Sequence, residues 1–112
     1  MAPEGQPLAS IDLFFEDRAD GAVVVRDAAT GRMVRELDPG TNGFIRATMR
    51  GLVRERRLGE IGAERPFRVT RWSDGRLTLV DMATGRVVDL PAFGQAQVEA
   101  FQSLLDAGGD GR

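Results

Sequence analysis

The side chains that could carry chemistry are few in type. The 112-residue chain has no His, Cys or Tyr, and all 15 basic side chains are Arg. Without His and Cys, the usual ligands of zinc, haem and iron–sulfur clusters are missing, as are thiol, Ser-His and Cys-His nucleophiles. The sequence therefore predicts no metal site and no cofactor.

Carboxylates are the remaining candidates for catalysis. Pairs such as Glu16 with Asp17, or Asp12 with Asp27, have no spacing that favours acid–base chemistry over ordinary strand ends and turns. The segment 106–110 lacks the ligand spacing of a calcium loop. We predict no catalytic residues, and a protein that is not an enzyme.

Overall charge and hydropathy exclude further classes. The formal net charge is −2, so nothing in the total charge favours nucleic-acid binding. No apolar run is long enough to span a membrane, and the N-terminus lacks the basic and apolar regions of a signal peptide.

Positive charge is concentrated on one predicted helix. Its arginines follow at spacings of four, four and three residues, which aligns them along one side: Arg46, Arg50, Arg54 and Arg57. Arg56 adds to this stripe. One interpretation is a solvated face with Glu55 as an internal partner, and the other is a surface that binds a partner protein or anionic lipid.

Trp72 is a separate candidate for partner binding. It is the only Trp and lies directly before the turn at Ser73-Asp74-Gly75. Its side chain either covers the edge of the sheet or forms a binding hot spot.

The elements that must position these residues occur as an internal repeat. The segments DGAVVVRDAATGRMVRELDPG (20–40) and DGRLTLVDMATGRVVDLPAFG (74–94) are identical at nine of 21 positions at an offset of 54. Asp-Gly pairs predict tight turns, and the Asp-x-x-Thr-Gly segments predict loops in which the carboxylate accepts backbone N–H groups. A cation or phosphate loop is the less favoured alternative for the latter.

Each repeat predicts three strands followed by an amphipathic helix. Apolar residues at period two should lie in the core, while their neighbours face out; the core positions are Val23, Val25, Leu77 and Leu79. Thr41-Asn42 offers an N-cap for the first helix. The predicted fold class is α+β: a duplicated βββα repeat with a mostly antiparallel sheet, two helices on one side and a pseudo-twofold axis.

The predicted organisation is a single domain over residues 8–106. It consists of two repeats, 8–58 and 64–106, with a flexible lead-in (1–7) and a disordered tail (107–112). The pattern leaves open whether the strands form one sheet, a barrel or two packed sheets.

Three segments together resemble the PuhC family, photosynthetic complex assembly proteins of purple phototrophic bacteria. These are GFIRATMRGLVRERR, PFRVTRWSDGRLTLVDMATGRVVDLPAFG and VEAFQSLL, and the similarity extends over about Leu13 to Leu105. The resemblance implies an N-terminal membrane anchor preceding this chain and a domain on the periplasmic side of the inner membrane. It also implies a role in assembling the reaction centre with its core light-harvesting ring, and it supplies no catalytic residues.

Two functional hypotheses follow. The first is a non-catalytic assembly factor whose arginine stripe and Trp72 contact reaction-centre subunits, core light-harvesting subunits, fellow assembly factors or anionic lipid headgroups. The alternative is a pigment or small-molecule carrier with a pocket between the helices and the sheet, lined by Phe44, Met49, Phe67 and Phe101. Against the carrier, a chlorin metal usually takes an axial ligand and the chain has no His.

Overall fold

Three strands and a helix are followed by three more strands, a 3-10 turn and a second helix in the computed structural model, which describes residues 5–109. The first set is β1 (Pro7–Asp17), β2 (Val23–Asp27), β3 (Met33–Leu37) and α1 (Gly43–Leu58). The second set is β4 (Phe67–Trp72), β5 (Leu77–Asp81), β6 (Val87–Asp89), the 3-10 turn (Leu90–Phe93) and α2 (Gln95–Gly109). None of the helices in this described part is long and apolar enough to cross a membrane.

The turns have the conformations that their residues predict. Gly21 and Gly75, which end the two Asp-Gly pairs, have φ values of +94° and +91°. In the longer loops Asp27 Oδ1 accepts the Ala29 N–H at 2.8 Å, and Asp81 Oδ1 accepts its counterpart, the Ala83 N–H, at the same distance. The carboxylates therefore form turns that return each strand antiparallel to the previous one.

All six strands form one antiparallel sheet in the order β3-β2-β1-β4-β5-β6. The two central strands, β1 and β4, pair with Leu13 opposite Phe67 and Ile11 opposite Val69. This pairing joins the two three-stranded meanders into a single layer. Of the arrangements left open by the sequence, the strands thus form one sheet and not a barrel or two packed sheets.

Both helices cover the same face of the sheet. The predicted core positions on β2 and β5 are buried there against α1 and α2, as are Leu13 and Val69 in the central strands. α2 lies over β1, β3 and β4, and α1 packs beside it. The α+β class with an antiparallel sheet and two helices is confirmed.

Some positions expected to face solvent are buried on the opposite face. Val24 is only 4% exposed and Thr78 only 2%. In the register Val24 lies between Glu16 and Glu36. The Glu16 carboxylate pairs with Arg26 on β2, and the Glu36 carboxylate pairs with Arg18, which directly follows β1. The long side chains of these pairs shield the apolar residue between them.

The ends of the domain differ from the predicted boundaries. β1 begins at Pro7, within the predicted lead-in, and α2 continues through residues 107–109 of the predicted tail. Gly108 permits this extension, because a Cβ at that position would collide with the side chains of Ile11 and Val34. Residues 1–4 and 110–112, which the predicted lead-in and tail also include, lie outside the described residues.

A buried ion pair fastens the end of α1 to the end of β5. Arg56 is 5% exposed and Asp81 is fully buried, and Arg56 Nη2 lies 2.7 Å from Asp81 Oδ1. The guanidinium also donates to the carbonyl of Arg65 at 2.8 Å and lies 4.1 Å from the Phe67 ring centroid. Arg56 therefore belongs to the core and not to the exposed stripe in which the sequence placed it.

Loss of this guanidinium should destabilise the fold strongly. We expect Arg56→Ala to lower the free energy of unfolding by about 3–5 kcal/mol, because it leaves the Asp81 carboxylate buried without its cation. The neighbouring exposed substitution Arg57→Ala is the matched control and should change stability by no more than ~0.5 kcal/mol. Urea denaturation followed by circular dichroism measures both, and equal effects would contradict the assignment.

The ion pair also predicts how this deficit depends on pH. Burial by itself raises the pKa of the Asp81 carboxyl, but the hydrogen bonds from Arg56 and Ala83 outweigh it, so the folded-state pKa is below its ordinary value. In wild type this stabilisation is present above the unfolded pKa of ~4 and is lost as the pH falls through the lowered value. Without Arg56, burial should raise the pKa of Asp81. The variant is then destabilised at neutral pH, where the buried carboxylate is charged, and is destabilised less in acid, where it becomes protonated. The stability difference between wild type and Arg56→Ala should therefore shrink from pH 7 towards pH 4.

Candidate functional site

The outer side of α1 carries three exposed arginines. Arg50, Arg54 and Arg57 are exposed, and no ion pair within the part of the chain that the structure describes involves them. We call these three residues the arginine face. Its cations are available to an external anion.

Arg46, the first residue of the predicted stripe, has an internal role. Its guanidinium donates to the carbonyls of Asp38 at 2.7 Å, Gly21 at 3.1 Å and Leu37 at 3.2 Å, and also to the carbonyl of Thr41. It therefore ties the start of α1 to the turns that begin β2 and end β3. Sequence spacing placed Arg46 with the other arginines, but its donors are used within the chain.

Asn42 is the N-cap residue, as the sequence predicts, but its side chain makes no capping hydrogen bond. Asn42 precedes the helix with a φ of +57°, and its side-chain amide donates to Thr41 Oγ1 at 3.0 Å. The Thr41 hydroxyl donates to the Asp38 carbonyl. Side chains at this end bind the preceding loop, so the loop geometry positions the helix.

Glu55, the expected internal partner of the stripe, pairs elsewhere. Its Oε2 accepts from Arg86 Nη1 at 2.7 Å, in the loop between β5 and β6. This contact draws the one acidic side chain of α1 towards the second meander. The positive charge of the arginine face is consequently not offset by Glu55.

A small groove lies between α1 and the adjoining ends of β1, β2 and β3. Its volume is about 130 Å³. The mouth carries Asp17, Arg46, Arg50 and Arg57. Its apolar walls are formed by Phe15, Val23, Leu37, Ile45, Met49 and Val53. We call this cavity the α1 groove; beside it an open depression is lined by Arg50, Arg54, Arg57 and Leu58.

The pocket expected for a carrier is filled by side chains. Phe67 is 4% exposed and Phe101 is fully buried, and the ring of Phe44 packs edge-on against Phe101 with centroids 5.9 Å apart. Arg56 occupies the space above Phe67. Of the four expected lining residues, Met49 alone borders the α1 groove. That expectation was wrong because aromatic packing closes the space.

Trp72 lies on the face of the sheet opposite the helices. Its indole N–H donates to Thr78 Oγ1 at 3.0 Å across β4 and β5, and its side chain is half-buried. Because side chains alternate along a strand, Thr78 points to the opposite face of the sheet from the buried Leu77 and Leu79. Trp72, which binds Thr78, therefore points away from α1. The structure does not bring Trp72 together with the arginine face.

The burial of Arg56 could have been predicted from its spacing in α1, although its charge favoured an exposed position. Ile45, Met49 and Leu52 are the buried apolar residues of α1, and Arg56 continues their spacing of four, three and four. No sequence spacing could have predicted the α1 groove, because its walls come from four separate elements.

Within residues 5–109, no three carboxylate, His or Cys side chains come together in a group that could hold a metal ion.

Comparison with known proteins assigns the chain to a family. The family model described as photosynthetic complex reorganisation protein PuhC matches residues 8–108, and the chain belongs to that family. The predicted resemblance is confirmed. Its members are named for the reorganisation of photosynthetic complexes, which supports a role in photosynthetic complex assembly.

A curated relative comes from Rhodobacter capsulatus and carries the description "Uncharacterized 17.4 kDa protein in puhA 5'region". It is 36% identical over 70 residues, which is 62% of this chain and 43% of the relative. The chain thus spans less than half the length of that relative. No solved structure matches the chain.

The different roles of the α1 arginines can be separated by their effect on stability. Arg46→Ala removes donors to four carbonyls and should lower the free energy of unfolding by about 1–3 kcal/mol. Arg54→Ala, about two turns further along the same helix, should change it by less than ~0.5 kcal/mol. Thermal and urea unfolding measure the stability of both variants. An Arg46→Ala protein as stable as wild type would contradict the internal role of Arg46.

Proposed function

We propose that this protein is a non-catalytic assembly factor for the reaction centre–core light-harvesting complex and acts through protein–protein contacts. The observation that carries the proposal is the arginine face: three exposed cations that no ion pair uses within the described residues, on a member of a family named for reorganising photosynthetic complexes. Exposed arginines that do not stabilise the chain itself are suited to bind carboxylates of another molecule.

The contrast between the two helices supports this surface. On α2 the outer polar side chains bind each other: Gln95 donates to Glu99 at 3.2 Å and Gln102 donates to Asp106 at 2.9 Å. On α1 the corresponding outer side carries the arginine face beside Val53, which is 36% exposed, and Leu58, which is 75% exposed. Mixed cationic and apolar exposure is typical of a protein interface, where arginine is enriched.

The internal duplication is part of the proposal. Leu13 pairs with Asp27, and the residues 54 positions later, Phe67 and Asp81, pair in the same way. This register and the repeated turns support two βββα halves related by a pseudo-twofold axis. We infer that after duplication α1 kept a face for a partner while α2 did not.

The proposed location is the periplasmic side of the inner membrane, with a tether N-terminal to this chain. A domain held near the membrane would bring the arginine face close to acidic loops of the partner complex. Anionic lipid headgroups are a second proposed contact, because exposed arginines are attracted to negatively charged surfaces. Contacts of both kinds weaken as salt concentration rises.

Charge reversal on the arginine face tests the assembly role. The membrane-anchored full-length protein is captured in mild detergent from phototrophically grown cells, and bound subunits are identified by mass spectrometry. We expect wild type to recover reaction-centre and core light-harvesting subunits, and Arg50→Glu with Arg54→Glu to recover at least about fivefold less.

The matched control reverses two exposed arginines at the sheet edge, Arg32→Glu with Arg35→Glu, and should retain the complex. Recovery of none of these subunits by well-folded wild type would refute the assembly role. Equal loss in both double variants would show that total charge matters and not the arginine face.

A further inference from the structure

We infer that the α1 groove receives one bulky apolar side chain from an acidic segment of a partner protein. The inference rests on the proposed function and names the kind of partner segment that the site fits. Arg50 and Arg57 line the groove and belong to the arginine face, so one site combines an apolar cavity with available cations.

The size of the groove selects the occupant. Pockets that bind small molecules and cofactors have volumes of roughly 300–1,000 Å³, and the α1 groove has about 130 Å³. A pigment does not fit, and a long acyl chain would remain mostly outside. A single branched or aromatic side chain fits a cavity of this size, and such anchors contribute most of the affinity in many interfaces.

The walls of the groove favour an apolar anchor. Leu37 and Ile45 are 1% and 2% exposed and Met49 is 6% exposed, so the floor is formed by packed core residues. Val53 stands at the outer wall and is 36% exposed. An apolar side chain inserted here would cover the exposed part of Val53 and extend the core outward.

The charges at the mouth favour acidic flanks on the bound segment. Arg46 uses its donors on backbone carbonyls, which leaves Arg50 and Arg57 as the cations available to a ligand, with Arg54 beside them. Asp17 supplies the single carboxylate of the mouth. Residues at helical spacings of three and four lie about 5–6 Å apart, which suits successive carboxylates on either side of an anchor.

Defined peptides test the site on the isolated chain. The probe is a capped five-residue peptide with one phenylalanine between two pairs of glutamates, and its partners replace the phenylalanine by alanine or the glutamates by glutamines. Titrations are followed by ¹⁵N-¹H NMR. We expect saturable shifts at Met49, Arg50 and Val53, with each replacement peptide binding about tenfold more weakly.

Substitutions in the α1 groove provide a second test of the inference. Val53→Trp should fill the cavity and abolish the preference for phenylalanine over alanine. Val87→Trp is the matched control, because Val87 is 56% exposed on the far edge strand β6, and it should bind as wild type does. Arg50→Glu with Arg57→Glu leaves the groove walls intact and should weaken the probe roughly fivefold or more; it tests the site even if Val53→Trp fails to fold.

Equal affinity for the phenylalanine and alanine peptides, or unchanged binding by folded Val53→Trp, would overturn the inference. So would binding to phosphatidylglycerol vesicles with no saturable binding of the peptides, which would assign the arginines to a membrane surface.

Complex capture separates this inference from the assembly role. If Val53→Trp retains the photosynthetic subunits while the Arg50→Glu and Arg54→Glu variant loses them, the groove assignment fails and the assembly role stands. If the probe binds as expected but wild type captures none of those subunits, the assembly role fails and the groove serves an acidic segment of a different protein.

Discussion

The pairing of β1 with β4 is the contact on which the rest of the structure depends. Each three-stranded meander is closed by local turns, but only the central pair, with Leu13 opposite Phe67, joins them into one sheet. On the opposite face of the same pair, Asp12 and Arg68 form a two-point ion pair with distances of 2.7 and 3.0 Å. The joined sheet is wide enough for two helices side by side, and neither meander alone would bury both.

The α1 helix uses arginine for three purposes, according to the direction of the side chain and its position along the helix. Arg56 points inward and neutralises a buried carboxylate, Arg46 binds the carbonyls of the preceding turns, and the arginine face points outward. The helical period separates Arg56 from the arginine face, since residues three or four apart share a side while adjacent residues do not. Arg46 shares the side of Arg50, and it differs because it lies in the first turn of the helix, next to the carbonyls of the preceding turns. Arg56 and Arg57, neighbours in sequence, therefore have opposite environments. A surface for a partner can then exist on the same helix that holds the two meanders together.

Membership of a family named for photosynthetic complex reorganisation supports a role in photosynthetic complex assembly. The proposed role is one of recognition: arginines that form no ion pair within residues 5–109 adjoin a cavity whose volume suits a side chain. The packed aromatic rings of Phe44 and Phe101 fill the region where a pigment carrier would need space. The arrangement favours a rigid module that docks on a protein over one that encloses a ligand.

Much of the fold was predictable because turn chemistry and strand alternation are local. Asp27, Asp81 and their following glycines form the loops that their types predict, and alternating apolar residues such as Val25 and Leu79 are buried as expected. The exposed direction of Arg50 also followed from helical spacing. The burial of Arg56 and the carbonyl contacts of Arg46 were not predicted. Arg56 pairs with Asp81, 25 residues away, and Arg46 contacts the carbonyl of Gly21, also 25 residues away, together with carbonyls of the loop before the helix whose position depends on the folded sheet. The sequence by itself determined the turns, the elements and the family; only the tertiary structure decided which arginines are free and where a groove forms, because both depend on contacts between distant elements.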